Sequence, residues 1–231
     1  MVLNTECIPV TYAAGTGGHF LSYFLNSANI NDMNAVTLSE HGNAHYAHIS
    51  DIPGSVGGMT ENPMRPIYRL LESVRRMSDT TGPYKIPYYS PSHICDINLA
   101  CKYFHKVIMI TYLSKDILEI SKIFVAKWWL DNQHGESSQI SDKLVEEIKL
   151  LNHKMANFST RSDLKRSVLH IEWGELLYGP EIELIHKLSN FTDIPINQFS
   201  ISNLVTWREK TQKAINQINL LIEKQGEINE L

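Results

Sequence analysis

The sequence has little cysteine, no long apolar run and no excess of charge of one sign. Its 231 residues include only Cys7, Cys95 and Cys101, and an odd count without a C-x-x-C pair argues against a disulfide framework or a structural zinc site. The longest apolar runs, such as Val107–Ile110, are far too short to span a bilayer. With 21 basic and 25 acidic residues the formal net charge is −4, so no global field favours nucleic acid or an acidic membrane. An anionic ligand must therefore be held by local groups.

The N-terminal segment Met1–Cys7 has neither a basic stretch nor an apolar one, so we expect no secretory signal. The cysteine usage and the missing signal together predict a cytoplasmic protein with reduced thiols. Hydrophobic residues make up 43% of the chain and charged residues 20%, which is typical of a globular protein that buries a core. Because there is no internal repeat and no low-complexity linker, we predict one domain over residues 1–231.

Predicted strands and helices alternate along the chain. Apolar runs predict strands at Cys7–Tyr12, Lys106–Thr111 and Ser167–Ile171, and Tyr84–Tyr89 is a further candidate strand. Helical spacing predicts helices at His19–Ala28, Ile67–Met77, Ile97–Tyr103, Asp116–Trp129 (N-capped near Ser114), Ser141–Phe158, Pro180–Asn190 and Thr206–Lys224. Residues Asn29–Pro66 are predicted to form a long irregular excursion with weak strand signals, of the kind that often serves as a functional loop. The alternation predicts an α/β fold, a three-layer sandwich with a mostly parallel central sheet, with its ligand site at the carboxyl ends of the strands.

A glycine-rich turn, Ala13–Gly18 (AAGTGG), follows the first strand. Glycine permits the positive φ with which backbone N–H groups converge on one point, and the dipole of the following helix adds to their field. Together these features predict a cradle for phosphate or sulfate, formed by Gly15, Thr16, Gly17, Gly18, His19 and Phe20. The alternative is a tight turn that serves close packing only.

The turn departs from the Walker A pattern, Gly-x-x-x-x-Gly-Lys-Ser/Thr. With Gly18 aligned to the second glycine, Ala13 stands at the first glycine, His19 at the lysine and Phe20 at the magnesium-binding hydroxyl. A standard magnesium–nucleoside triphosphate site is therefore disfavoured.

The order of features resembles that of the sulfotransferases that use the sulfate donor PAPS. Their glycine loop, of the PKSGTT or PKTGGTS type, corresponds to Tyr12–Leu21. Their THLP-like segment, whose histidine is the catalytic base, corresponds to Ser92-His93-Ile94. Their RNPRD-like turn and helix, which hold the 3′-phosphate of the donor, correspond to Tyr112–Asp116 and Ile117–Ser121.

Two later segments extend the resemblance. His170–Leu177 (HIEWGELL) matches a strand followed by a YEDL-like segment, and Thr206-Trp207-Arg208 looks like the Trp-Lys/Arg segment that helps close over the donor. The resemblance covers most of the chain in the correct order and implies a P-loop NTPase-like fold. It further implies PAPS as co-substrate, no metal, and a small-molecule or glycan acceptor that carries a hydroxyl or an amine.

Two phosphate-binding positions of the family are occupied by other residues. Ala14 or Gly15, depending on the register, stands at the loop lysine, and Tyr112 stands at the arginine that binds the 3′-phosphate. The donor-binding residues that the resemblance implies are the glycine turn with His19 and Phe20, together with Ser114, Lys115, Ser121 and Arg208.

Sulfuryl transfer needs a base for the acceptor and positive charge at the bridging oxygen of the donor. A histidine suits the first task because its ordinary pKa is about 6.5, and the resemblance implies His93 as this base. His19 at the start of the helix could supply a proton or a positive charge, with Lys115 and Arg208 as further cations. The alternatives are that His93 caps the next helix and that His19 faces solvent.

Four functions stay open: a sulfotransferase-like enzyme, an altered or non-catalytic relative that binds a phosphorylated ligand, a small P-loop kinase or NTPase, and a protein whose turn binds nothing. His41, His45 and His48 would share a helix face that could bind a metal, but Gly42 and Asn43 disfavour a helix, so we expect no metal site. The apolar residues within 212–231 could pack on the domain or on a second copy, so a homodimer is also open.

Overall fold

The computed structural model describes residues 7–13, 15–47, 68, 88–92, 100–132 and 168–223. The strands in this part of the chain are β1 (Cys7–Thr11), β2 (Val36–Leu38), β3 (Ala44–Tyr46), β4 (Tyr88–Ser92), β5 (Val107–Thr111) and β6 (Val168–Glu172). The α-helices are α1 (Gly18–Asn29), α2 (Ile117–Asn132), α3 (Trp173–Tyr178), α4 (Glu181–Thr192) and α5 (Ile201–Glu223). Single 3₁₀ turns lie at Ser114–Asp116 and Ile196–Gln198.

Four of the strands form a sheet in the order β4-β1-β5-β6, in which every neighbouring pair is parallel. The predicted α/β fold with a parallel sheet flanked by helices is thereby confirmed. All five residues of β1 are buried, as are Val107–Ile110 of β5, so both faces of these central strands are covered. This covering explains why their sequences are continuous apolar runs rather than alternating patterns.

The strand order changes direction at β1, because the chain adds β4 on one side of β1 and then β5 on the other. In open parallel sheets the crevice outside the carboxyl ends at such a reversal is the usual place for a ligand. The glycine turn follows the carboxyl end of β1 and leads directly into α1, so it lies at this position.

Helix α1 is buried over most of its length and covers β1 and β4. Its Asn26 side chain donates to the Tyr89 carbonyl at 2.7 Å and accepts from the Tyr89 N–H at 2.9 Å. This amide therefore satisfies backbone groups of β4, which is at the edge of the described sheet.

Within the predicted excursion, for which the sequence gives weak strand signals, β2 and β3 form an antiparallel hairpin. Gly42 in its loop has a φ of 79°, and the Ser39 hydroxyl accepts from the N–H groups of His41 and Asn43. The strands are only three residues long, which is why their pattern in the sequence is weak. Residues 48–66 of the excursion lie outside the described part.

Helix α2 begins within one residue of its predicted start, whereas α5 begins earlier than predicted. Helix α2 follows the 3₁₀ turn at Ser114–Asp116, where the Asp116 carboxylate accepts from the Leu113 N–H at 2.9 Å. Helix α5 starts at Ile201 instead of Thr206, because the Ser200 hydroxyl accepts from the Asn203 N–H at 3.2 Å. No described helix is both long enough and apolar enough to cross a membrane.

Helix α5 packs along α2, where Ala214 and Ile218 meet Val125 and Ala126 in a small buried cluster. The apolar stripe near the end of the chain therefore packs within the domain at these positions. The predicted helices Ile67–Met77 and Ser141–Phe158 lie outside the described residues, except for Tyr68, which is helical.

Candidate functional site

The turn between β1 and α1 is held in a left-handed conformation at two of its glycines. Gly15 has a φ of 88° and Gly17 a φ of 87°, values that favour glycine, as the sequence predicts. The N–H and hydroxyl of Thr16 both donate to the Ala13 carbonyl, at 3.2 and 2.7 Å, and close the turn from within. Thr16 therefore acts on the shape of the turn, and it does not line the cavity described below.

All three glycines also allow a neighbour to approach closely. A Cβ on Gly15 would lie 2.3 Å from the Ile120 carbonyl oxygen of α2, and one on Gly17 would lie 2.7 Å from the Trp207 ring. A Cβ on Gly18 would lie 2.0 Å from the Tyr12 ring. Close packing alone accounts for the three glycines, and a ligand site is indicated by the space beside them.

That space is a cavity of about 260 Å³. Its wall combines the glycine turn and start of α1 (Gly15, Gly17–Phe20), the β2–β3 turn (Gly42–Ala44), α2 (Phe124 and Lys127), Tyr12 and Trp207. Pockets for small molecules commonly measure about 300–1,000 Å³. The cavity lies just below that range and is large enough for a phosphate or sulfate group.

The start of α1 presents backbone donors at this cavity. The first bond of the helix runs from the Leu21 N–H to the Gly17 carbonyl at 3.0 Å, so the preceding N–H groups have no acceptor within the helix. The first turn of α1 carries no acidic side chain that would offset its positive end. These features favour an anion at this end of the helix.

Lys127 brings a cationic side chain to the same cavity from α2, although the residue is only 8% exposed. Its ammonium donates to the Gly42 carbonyl at 3.2 Å and to the Thr211 hydroxyl at 2.9 Å, and it lies 5.0 Å from the centre of the Trp207 ring. Sequence reasoning missed this residue. The sequence does carry a sign of it, because Lys127 is the one charged residue in the otherwise apolar run Ile123–Leu130 (IFVAKWWL).

His19 is half-buried on the cavity wall and lies between two tyrosine rings. Its ring centroid is 5.5 Å from that of Tyr12, edge to face, and 5.9 Å from that of Tyr23, stacked. Burial, and secondarily the nearby Tyr23, raises the pKa of Tyr12, while burial raises the pKa of Tyr23. Both phenols therefore stay neutral at physiological pH and add no negative charge beside a bound anion.

Phe20 and Trp207 form the apolar part of the wall. Their rings stack with centroids 4.4 Å apart and an angle of 4° between their planes. Trp207, which the resemblance places over the donor, is buried against Gly17. Phe20 stands where a magnesium nucleotide site needs a Ser or Thr hydroxyl. An apolar ring stacked on Trp207 therefore takes the place of a magnesium-binding oxygen.

Arg208 points away from the cavity into the end of α3. Its guanidinium donates to the carbonyls of Leu176, Gly179 and Glu175 at 2.9, 2.6 and 3.1 Å, and to the Glu181 carboxylate at 2.8 Å. The Leu176 carbonyl is one that a helix leaves open at its C-terminus, whereas the Glu175 carbonyl also accepts from the Gly179 N–H at 3.0 Å. The described structure thus uses Arg208 to join α3 to α5.

The remaining predicted donor-binding residues lie after β5. Ser114 and Lys115 are exposed in the 3₁₀ turn, and the buried Ser121 donates to the Ile117 carbonyl within α2 at 2.8 Å. None of the three lines the cavity, and a donor-binding role for them stays a prediction. His93 lies outside the described residues.

The histidine cluster is not helical where it is described. His41 is buried at the hairpin turn and His45 is exposed on β3, whereas His48 lies outside the described part. Within the described ranges, no group of three His, Cys, Asp or Glu residues is placed to hold a metal ion.

Comparison with known proteins assigns no relative to this chain: no family model, no curated protein and no solved structure matches it. The resemblance to PAPS-dependent sulfotransferases therefore depends on the order of the motifs alone.

Proposed function

We propose that this chain is a sulfotransferase-like enzyme that transfers the sulfuryl group of PAPS to a hydroxyl or amine acceptor. The observation that carries the proposal is the cavity at the carboxyl end of β1, where the glycine turn, the start of α1 and a cation meet. The parallel sheet, with a glycine turn between its first strand and first helix, supports a three-layer, P-loop NTPase-like architecture.

In the proposed reaction a base removes the proton of the acceptor while its oxygen or nitrogen bonds to sulfur. The bond from sulfur to the bridging oxygen breaks, and adenosine 3′,5′-bisphosphate leaves with the negative charge. Backbone donors of the turn and the side chain of His19 would stabilise that charge. The size of the cavity suits the phosphosulfate end of the donor, with the nucleoside lying outside it.

His93 is the proposed base. Strands β1 and β4 are parallel neighbours, and Thr11, the last residue of β1, pairs with Ser92, the last residue of β4. Both strands therefore end at the same edge of the sheet, and His93 is the residue that follows Ser92 in the sequence.

A non-catalytic relative that binds a phosphorylated ligand is the second candidate. The placement of Arg208 favours it, because a cation expected at the donor is bound to α3 and Glu181 instead. A magnesium-dependent kinase or NTPase is disfavoured by the Phe20–Trp207 stack.

The first test measures thermal unfolding of the full chain with adenosine 3′,5′-bisphosphate, ATP–magnesium or inorganic sulfate. A ligand at one hundred times its Kd stabilises a protein by about 2.7 kcal/mol, which corresponds to a rise in Tm of roughly 5–10 °C for this size. We expect that rise with the bisphosphate. Stabilisation by ATP–magnesium alone would exclude the proposed donor.

The second test measures transfer from PAPS to a panel of alcohols and amines. We expect His93→Ala to reduce turnover by at least a hundredfold while the Tm rise with the bisphosphate is retained. His186→Ala, on helix α4, is the matched control and should keep full turnover. Turnover of His93→Ala at the level of the unchanged protein would remove His93 from the mechanism. Bisphosphate binding without transfer to any acceptor would favour the second candidate.

A further inference from the structure

We propose that Lys127 is the cation that binds the phosphate or sulfate group at the glycine turn, in place of the loop lysine that Ala14 or Gly15 replaces. The inference rests on the proposed function, because it assigns a residue to the anion site of that proposal. A lysine on a helix, 109 positions after Gly18, would thus do what a lysine within the turn does in the family that the sequence resembles.

The position of Lys127 on α2 directs it toward the turn. Ile120, Phe124 and Lys127 are spaced i, i+4 and i+7, so they share one face of the helix. Ile120 and Phe124 are the residues against which Gly15 packs. The same face that holds the turn in place therefore carries the ammonium group into the cavity wall.

Besides the shared helix face, the Trp207 side chain connects the glycine turn with the Lys127 ammonium group. A Cβ on Gly17 would lie 2.7 Å from the indole, and the Lys127 Nζ lies 5.0 Å from the centre of a ring of the same side chain. The glycine turn and the lysine thus contact one indole, and both line one cavity of about 260 Å³.

Two contacts of the Lys127 Nζ are of a kind that an anion can displace. The Gly42 carbonyl and the Thr211 hydroxyl are neutral acceptors, at 3.2 and 2.9 Å. A hydrogen bond from an ammonium group to a phosphate or sulfate oxygen is charge-assisted on both sides and roughly twice as strong as a neutral one. A bound anion can therefore compete for donors of Lys127 that now hold the hairpin.

A purely structural role for Lys127 is the alternative, because it also fastens the β2–β3 hairpin to α2. Lys210 on α5 serves as the matched control, since its ammonium donates to the Leu38 and Ser39 carbonyls of the same hairpin at 3.0 and 2.8 Å. Lys210 does not line the cavity. Lys210→Met removes the same charge and a similar fastening of the hairpin.

The experiment measures by calorimetry how the full-length variants bind adenosine 3′,5′-bisphosphate and inorganic pyrophosphate. We expect Lys127→Met to weaken binding of both probes at least thirtyfold, Lys127→Arg to weaken it less than tenfold, and Lys210→Met less than threefold. Unchanged affinity in Lys127→Met, or an equal loss in Lys210→Met, would overturn the inference. If the unaltered protein binds neither probe, the proposed function itself fails.

A second measurement needs no variant and covers the case in which Lys127→Met does not fold. NMR of the isotopically labelled, unaltered protein follows the side-chain resonances of the lysines with and without saturating bisphosphate, which suits a residue that is only 8% exposed. We expect the ligand to shift the Lys127 resonances and to leave those of Lys210 in place. Lys127 resonances that do not move when the ligand binds would contradict the proposal.

Discussion

The turns after β1 and β5 occupy equivalent places at the carboxyl edge of one parallel sheet, yet they differ in what surrounds them. The turn after β1 has three glycines, and α2, α5 and Tyr12 close in on it and leave a cavity. The turn after β5 has none, and its Leu113 is 58% exposed while Asp116 takes the Leu113 N–H. Of these two strand ends, the one whose glycines allow other elements to approach closely is the one that borders a cavity.

The same contrast applies to the cations. Arg208 lies next to Trp207 in the sequence, but its guanidinium donates to the Leu176 carbonyl at the end of α3 and to the Glu181 carboxylate. Lys127 is distant in the sequence and reaches the cavity. Three experiments test this comparison, from the largest expected effect to the smallest.

Gly15→Ala should have the largest effect on stability. The new Cβ would lie 2.3 Å from the backbone oxygen of Ile120, at a residue whose φ is 88°. We expect a loss of about 3–5 kcal/mol in the free energy of unfolding, measured in urea. Gly174→Ala in α3 is the control, since a Cβ there meets nothing within 4 Å, and it should be neutral or stabilising by about 1 kcal/mol. Similar values for both variants would contradict the close packing of the turn.

Arg208→Met should have the next largest effect on stability. It removes the arginine donor from the Leu176 and Gly179 carbonyls and from the Glu181 carboxylate, whereas the Glu175 carbonyl keeps the Gly179 N–H. The Arg208 side chain is only 11% exposed. We expect a loss of about 2–4 kcal/mol in the free energy of unfolding, measured in urea. The Kd for bisphosphate should stay within threefold. Intact stability together with a loss of bisphosphate binding would instead indicate that Arg208 binds the donor.

Lys115→Ala should have the smallest effect and test the turn after β5 directly. Because Lys115 is exposed, the free energy of unfolding should change by less than about 0.5 kcal/mol. If this turn holds the 3′-phosphate, the bisphosphate should bind about tenfold more weakly, a loss of about 1.4 kcal/mol, and pyrophosphate should bind as before. Lys102→Ala, which is exposed before the amino end of β5, is the control. Unaltered bisphosphate binding in Lys115→Ala would remove this turn from the donor site.

Much of the fold was predictable from the sequence because its signals are local. The continuous apolar runs of β1 and β5 reflect burial on both faces, and three glycines in four residues after β1 marked the turn. The β2–β3 hairpin and the early start of α5 were not predicted. Strands of three residues carry too short a pattern, and one serine hydroxyl places the start of a polar helix.

The sequence by itself determined the alternation of the main strands and helices, the parallel α/β sheet and the glycine turn at the end of β1, but neither the β2–β3 hairpin nor helix α3. Only the tertiary structure decided which side chains surround that turn. Lys127 meets Gly42 and Thr211 across 85 and 84 residues of chain, and Arg208 meets Glu181 across 27. Periodicity reports which face of an element is buried, but the partner of a charged side chain depends on how distant elements pack, and local pattern carries no record of that.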